Sequence, residues 1–105
     1  MNEVLIREIK EYAKQNDVPI MQDEGIEFLT NFIVKNQITT ILEIGTAIGY
    51  SAIMMALTNP RIKVVSIERD EERYLEALKN VKKFLLWPHI LLGMRRFILW
   101  CMVTV

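Results

Sequence analysis

The sequence is poor in the residues that most often carry cross-links or metal chemistry. Among 105 residues there is one cysteine, Cys101, and one histidine, His89. A lone cysteine excludes an internal disulfide, and with a single histidine it cannot build a Cys-based zinc site. A reducing, cytoplasmic setting is therefore the expectation. Long apolar runs are missing as well. The most apolar stretch is cut by Pro88, His89 and the Arg95–Arg96 pair, short of the ~18 uninterrupted residues a spanning helix needs. No membrane span is expected, which leaves room for an interfacial segment. The opening MNEVLIREIKEYAK has charges every few residues and no apolar core, so no secretory signal is expected. There is no internal repeat and no low-complexity linker.

Neither sign of charge predominates: 13 basic side chains face 13 acidic ones. Charge alone thus argues against a strongly basic nucleic-acid binder. The balance is uneven along the chain, because acidic residues stop at Glu76 and lysines at Lys83, leaving only Arg95 and Arg96 after Phe84. Both tryptophans, Trp87 and Trp100, lie in that last stretch. The composition divides the chain into residues 1–83, which read as a soluble domain, and residues 84–105, an apolar tail.

Within the first part, Leu5, Ile6, Ile9, Tyr12 and Ala13 recur at helical spacing over residues 2–15, which predicts an amphipathic helix. Asn16-Asp17-Val18-Pro19 should end it, since proline cannot continue the ladder. A second helix is expected from an N-cap near Asp23 to about Asn36. TTILEI, residues 39–44, is short and β-branched and suits a buried parallel strand. The turn Gly45 to Gly49 leads into a helix over about 50–58, ended by Asn59-Pro60. IKVVSI, residues 62–67, is a second strand, followed by Glu68 and a helix over about 70–83 capped by Asp70. Helix, helix, strand, turn, helix, strand, helix predicts an α/β fold: the N-terminal half of a Rossmann-like, doubly wound parallel sheet preceded by two helices. After Phe84 neither period persists. β-Propensity allows short strands near 89–92 and 97–105.

The chemistry is concentrated in Leu42-Glu43-Ile44-Gly45-Thr46-Ala47-Ile48-Gly49-Tyr50-Ser51. Gly45, at the strand's carboxyl end, can take backbone angles other residues resist and lets a ligand lie on the main chain; Gly49 permits close approach where the helix begins. Glu68, at the end of the second strand, can accept hydrogen bonds from both hydroxyls of a ribose. A nucleoside is expected across the strand ends. Dinucleotide sites use G-x-G-x-x-G to hold a pyrophosphate, whereas here the spacing is G-x-x-x-G with Glu43 two residues before it. A carboxylate there repels phosphate and attracts an ammonium. No Gly-Lys-Ser/Thr follows, which disfavours ATP or GTP. S-adenosylmethionine has the ammonium and no phosphate. A G-x-x-x-G alone serves packing as readily as binding, so the weight rests on its combination with Glu43, Ser51 and Glu68.

LEIGTAIGYSAI with VVSIERDEE, preceded by VPIMQDEG, resembles the S-adenosylmethionine-dependent O-methyltransferases of the catechol and caffeoyl-CoA type, and within them the bacterial branch that methylates 5-hydroxyuridine in tRNA. The likeness covers about residues 3–84. It implies that Glu43 and Gly45 line the methionine moiety, that Ser51 bonds the cofactor's amino acid end, that Glu68 holds the ribose and that Met21 contacts the cofactor. An isolated methionine after a proline is also a common core plug. Tyr50 is given no ligand contact, and His89 and Cys101 are expected to be inert.

Beyond Phe84 the family carries a third strand, a Gly-Asp-Ala-like adenine segment and Mg²⁺-binding carboxylates. With no acidic residue after Glu76, the Mg²⁺ ligands are absent here, and no catalytic residue is assigned. The expectation is a truncated fragment that binds cofactor without turnover. It leaves an open sheet edge through which, with the tail, it could self-associate. A frameshift would explain the break, because a neighbouring frame across Leu92-Gly93-Met94-Arg95 can read Gly-Asp-Ala. The competing expectation is a non-catalytic interaction module whose apolar tail docks on a partner or on a membrane surface.

Overall fold

In the computed structural model, the structure describes residues 2–94. The second tail strand, Arg95, Arg96, Trp100 and Cys101 lie outside the described residues. Among the described residues the order is α1 (Asn2–Gln15), α2 (Asp23–Lys35), β1 (Thr40–Ile44), α3 (Tyr50–Ala56), β2 (Lys63–Glu68), α4 (Glu71–Lys83) and β3 (Ile90–Met94). The strands form a parallel sheet in the order β1-β2-β3. The α/β architecture expected from the sequence is present.

The register explains which face is buried. Ile41, Val64 and Ile90 lie opposite one another across the three strands. Val64 and Ile90 join Ile48, Ile53, Ile62 and Val81 in one buried cluster with Ile9, Ala13, Ile26 and Ile33 of the first two helices. All four helices therefore bury an apolar stripe in a single core on this face of the sheet.

Glycine is scarce, and three helices end without it. Asp17, Gln37 and Leu85 take left-handed φ values of 52°, 53° and 58°. In each case the next amide reaches back to a carbonyl five residues earlier: Val18 to Ala13 at 2.9 Å, Ile38 to Ile33 at 3.1 Å and Leu86 to Val81 at 3.1 Å. This is the Schellman closure that glycine usually serves. Asp17 and the αL turn thus stop α1 before Pro19 is reached. Leu85 is largely exposed, so Leu85→Gly should raise stability by up to ~1 kcal/mol by removing the left-handed cost. Chemical denaturation would show it as a higher midpoint at unchanged m-value.

Two helix starts differ in how well the sequence foretold them. Asp70 caps α4 as expected, its Oδ1 accepting the Arg73 amide at 3.0 Å. The N-cap of α2 is Gln22 with no side-chain cap bond, and Asp23 is the first helical residue, drawn to the Lys10 ammonium at 2.8 Å. The compositional break at Phe84 is not a break in packing. Phe84, Leu86 and Ile90 are buried in the common core, and β3, a little beyond the stretch that β-propensity suggested, pairs with β2 from Ile90 to Met94.

Candidate functional site at the strand carboxyl ends

The turn between β1 and α3 is built from backbone angles that few residues accept. Gly45, Ala47 and Gly49 have φ of 94°, 51° and 90°. The Gly45 and Thr46 amides both donate to the Ile67 carbonyl, at 2.8 and 3.0 Å, folding the turn over the end of β2. The two glycines serve different ends. A Cβ on Gly49 would lie 3.4 Å from the Ala77 Cβ, so that glycine allows α4 to approach the turn. A Cβ on Gly45 would meet nothing within 4 Å. The space over Gly45 is open, on the side where a ligand can lie against the main chain.

Beneath this opening lies a chain of hydroxyls ending on Glu43. Thr46 Oγ1 and Ser66 Oγ are 2.7 Å apart, the Ser66 hydroxyl donates to Glu43 Oε1 at 2.5 Å, and the Ser51 hydroxyl donates to Glu43 Oε2. Burial pushes the Glu43 carboxyl above its ordinary value, and the bonds from Ser51 and Ser66 offset part of that rise. The result is a half-buried carboxylate with hydroxyl neighbours and no cation against it among the described residues, so it has charge to offer a cationic group. Ser66 was not singled out in the sequence. Its only signal there is a polar residue inside the apolar run VVSI.

Glu68 is 6% exposed and holds the same turn from below. Its Oε1 accepts the Ala47 amide at 2.7 Å and its Oε2 the Asp70 amide at 2.9 Å. Each carboxylate oxygen keeps a further lone pair. Asn80 is the other anchor that the sequence did not reveal: buried on α4, it donates to the Ile48 carbonyl at 2.8 Å. Its signal was one amide on the inward face of an otherwise ordinary helix.

Glu43, Gly45, Ser51 and Glu68 are therefore brought together around one turn. Met21 is different. It is exposed ahead of α2 and is no core plug, and its side chain lies over Gly25, where an added Cβ would come within 2.8 Å of Met21 Cγ. Tyr50 is buried in the core. His89 stands just before β3, at the amino end of the sheet, with Nδ1 buried and no hydrogen-bond partner among the described residues. A groove of about 490 Å³ lined by Gln37, Thr39, Thr58 and Arg61 also belongs to that far end. Open α/β sheets bind ligands at the carboxyl ends.

The fold matches known proteins. Residues 1–91 fit the model of the O-methyltransferase family. The chain belongs to the O-methyltransferase family. It is similar to a Staphylococcus aureus protein described as a caffeoyl-CoA O-methyltransferase, at 32% identity and a TM-score of 0.82 over 85% of this chain. The fold is shared with a Bacillus cereus O-methyltransferase in complex with SAH (23% identity, TM-score 0.78, 87% of this chain). It is shared too with TomG of Streptomyces achromogenes in complex with SAM (22% identity, TM-score 0.76, 86% of this chain). The chain spans 43%, 43% and 42% of those three proteins, respectively.

The Mg²⁺ implied by the resemblance does not fit the residues in hand. Among the described residues no group of three or more His, Cys, Asp or Glu side chains could hold a metal ion. Nor is any helix among them long and apolar enough to cross a membrane.

Proposed function

We propose that this O-methyltransferase-family chain binds S-adenosylmethionine at the carboxyl ends of β1 and β2, as the cofactor-holding half of an O-methyltransferase. The observation that carries the reading is the half-buried, hydroxyl-supported Glu43 carboxylate directly before the open backbone of Gly45. When bound, the cofactor supplies an electrophilic methyl group on a sulfonium. The residues of this chain bind and orient. Glu43 faces the ammonium of the amino acid end, with Ser51 beside it. Gly45 lets the ligand lie on the main chain. Glu68 uses its spare lone pairs for the ribose hydroxyls, and Met21 closes over the cofactor from the loop before α2.

With no set of metal-binding side chains among the described residues, the chain would hold cofactor without transferring its methyl group. The acceptor favoured by the resemblance is the hydroxyl of 5-hydroxyuridine in tRNA, in a cytoplasmic setting. The chain would then be a truncated form with a frameshifted tail. The nucleotide sequence around codons 84 to 96 tests that last step, and an alternative frame full of stops would dismiss it.

Isothermal titration with S-adenosylhomocysteine tests the binding claim. Saturable heat is expected from the wild-type chain. Absence of heat at any workable concentration would remove the proposal.

The charge of Glu43 gives a pH signature. Its carboxyl titrates above the ordinary value because the charged form is poorly solvated. The folded state therefore holds a proton that the unfolded state has lost, and this contribution to stability falls as pH rises from the ordinary carboxylate value through the raised one. Cofactor affinity should move the other way, rising over the same window as the carboxylate forms. Glu43→Gln should flatten both pH profiles, raise the melting temperature at neutral pH and weaken S-adenosylhomocysteine by ~10-fold or more, the loss of one charge-assisted bond. An unchanged affinity in this variant would remove Glu43 from the site.

A further inference from the structure

The ammonium of Lys10 joins α1 to the starts of α2 and α3. Lys10 donates to Asp23 Oδ1 at 2.8 Å and stands 6.0 Å from the centre of the Tyr50 ring. Asp23 is the first residue of α2 and Tyr50 the first of α3. Each adjoins a residue assigned to the cofactor above: Met21 lies two positions before Asp23, and Ser51 directly follows Tyr50. Tyr50 is buried and comes straight after the left-handed Gly49, so its ring is a fixed platform at the end of the glycine turn. The segment that carries Met21 has fewer ties. Val18 and Ile20 pack partly buried against the core, whereas Met21 is exposed. From Pro19 to Met21 no backbone hydrogen bond forms among the described residues, and the N-cap Gln22 makes no side-chain bond. The Ile26 amide, on the Gln22 carbonyl at 3.0 Å, closes the first turn of α2.

The contact is too weak to be what keeps the chain folded. The Lys10 and Asp23 side chains are 42% and 76% exposed. Exposed ion pairs contribute little to folding, because water screens them and two side chains must be ordered. A ring centre 6.0 Å away is at the outer reach of a cation. The place of the contact matters more than its strength. We propose that Lys10 is a positioning residue: held between Asp23 and the Tyr50 ring, its ammonium fixes the Met21 segment relative to the glycine turn and Ser51, and so sets how closely Met21 covers the cofactor. That last consequence rests on the cofactor reading above. The tie between the helices does not.

The test uses the full 105-residue chain with Lys10→Met, which keeps an apolar stem, and Asp23→Asn. Without ligand, the Ile26 amide should exchange ~2- to 5-fold faster in both variants, the range an exposed ion pair supports. Titration with S-adenosylhomocysteine is the second readout. Both variants should weaken binding in the same direction, by ~2- to 5-fold each. Lys10→Arg, which can keep both contacts, should bind as the wild type does. In a Met21→Ala background, Lys10→Met should have no further effect, because the two residues act in series. A charge acting at a distance would instead give Lys10→Met and Asp23→Asn opposite signs, since one removes a positive charge and the other a negative one. Opposite signs overturn the proposal, as do unchanged affinity in both variants, unchanged Ile26 exchange, or a full Lys10→Met effect on top of Met21→Ala. A wild-type chain that gives no heat removes the cofactor reading, and the Ile26 exchange rates then decide the tie by themselves.

Discussion

Gly45→Val is expected to abolish S-adenosylhomocysteine binding, with no detectable heat where the wild type saturates. Two effects act together. Valine is β-branched and strongly disfavours the φ of 94° found here, at a cost of ~1–3 kcal/mol in stability. Its side chain would also occupy the open space over the turn, where no protein atom comes within 4 Å of an added Cβ. Gly49→Ala separates the two effects. It suffers a comparable backbone penalty at φ 90° and presses on Ala77, but it adds nothing to the ligand space. Gly45→Ala should thus lose more affinity than Gly49→Ala for equal loss of denaturation midpoint. Equal losses of affinity would mean that the turn is merely distorted, and the cradle reading of Gly45 would fall.

Glu68→Ala should be the most destabilising single change in the site. It strips the part-buried Ala47 and Asp70 amides of their acceptor, and a donor left without a partner costs up to ~1–3 kcal/mol, less where water can reach it. A total loss of ~2–4 kcal/mol is expected in urea denaturation. Ala47, already in the left-handed region, loses the bond that holds it there. The turn should loosen and cofactor binding should go with it. Glu68→Gln keeps one carbonyl oxygen for an amide and should lose less stability, while its binding loss should stay large if both oxygens face a ribose. Should Glu68→Gln bind S-adenosylhomocysteine as the wild type does, Glu68 is a clamp on the turn and nothing more.

The case of Glu68 shows where a linear reading stops. Its spacing from Gly45 was legible, and so was its place at a strand end. That both of its oxygens are engaged by the amides of Ala47 and Asp70 was not, because hydrogen bonds between loops depend on how two turns meet. Ser66 and Asn80 were hidden for the same reason. Each looks ordinary in its own element and gains meaning only from a neighbour 23 residues before it in one case and 32 in the other. Asp23 was legible as a residue at the start of a helix, but its ion pair with Lys10, on another helix, was not.

Local chemistry and periodicity fixed the order of helices and strands, the glycine turn and the grouping of Glu43, Gly45, Ser51 and Glu68. These depend on residues close in sequence, or on the one rule that strands of an α/β unit align their carboxyl ends on the same side. Tertiary structure decided that the sequence after Phe84 supplies a third strand. β3 has no clear period of its own, but its Ile90 completes the row begun by Ile41 and Val64. It also decided that Leu42 and Ile44, in a strand expected to be buried, face outward together with Val65 and Leu91. A strand's pattern says that two faces are apolar. Whether both are covered depends on what packs against them, and the described residues of this chain leave Leu42, Ile44 and Leu91 of the second face exposed.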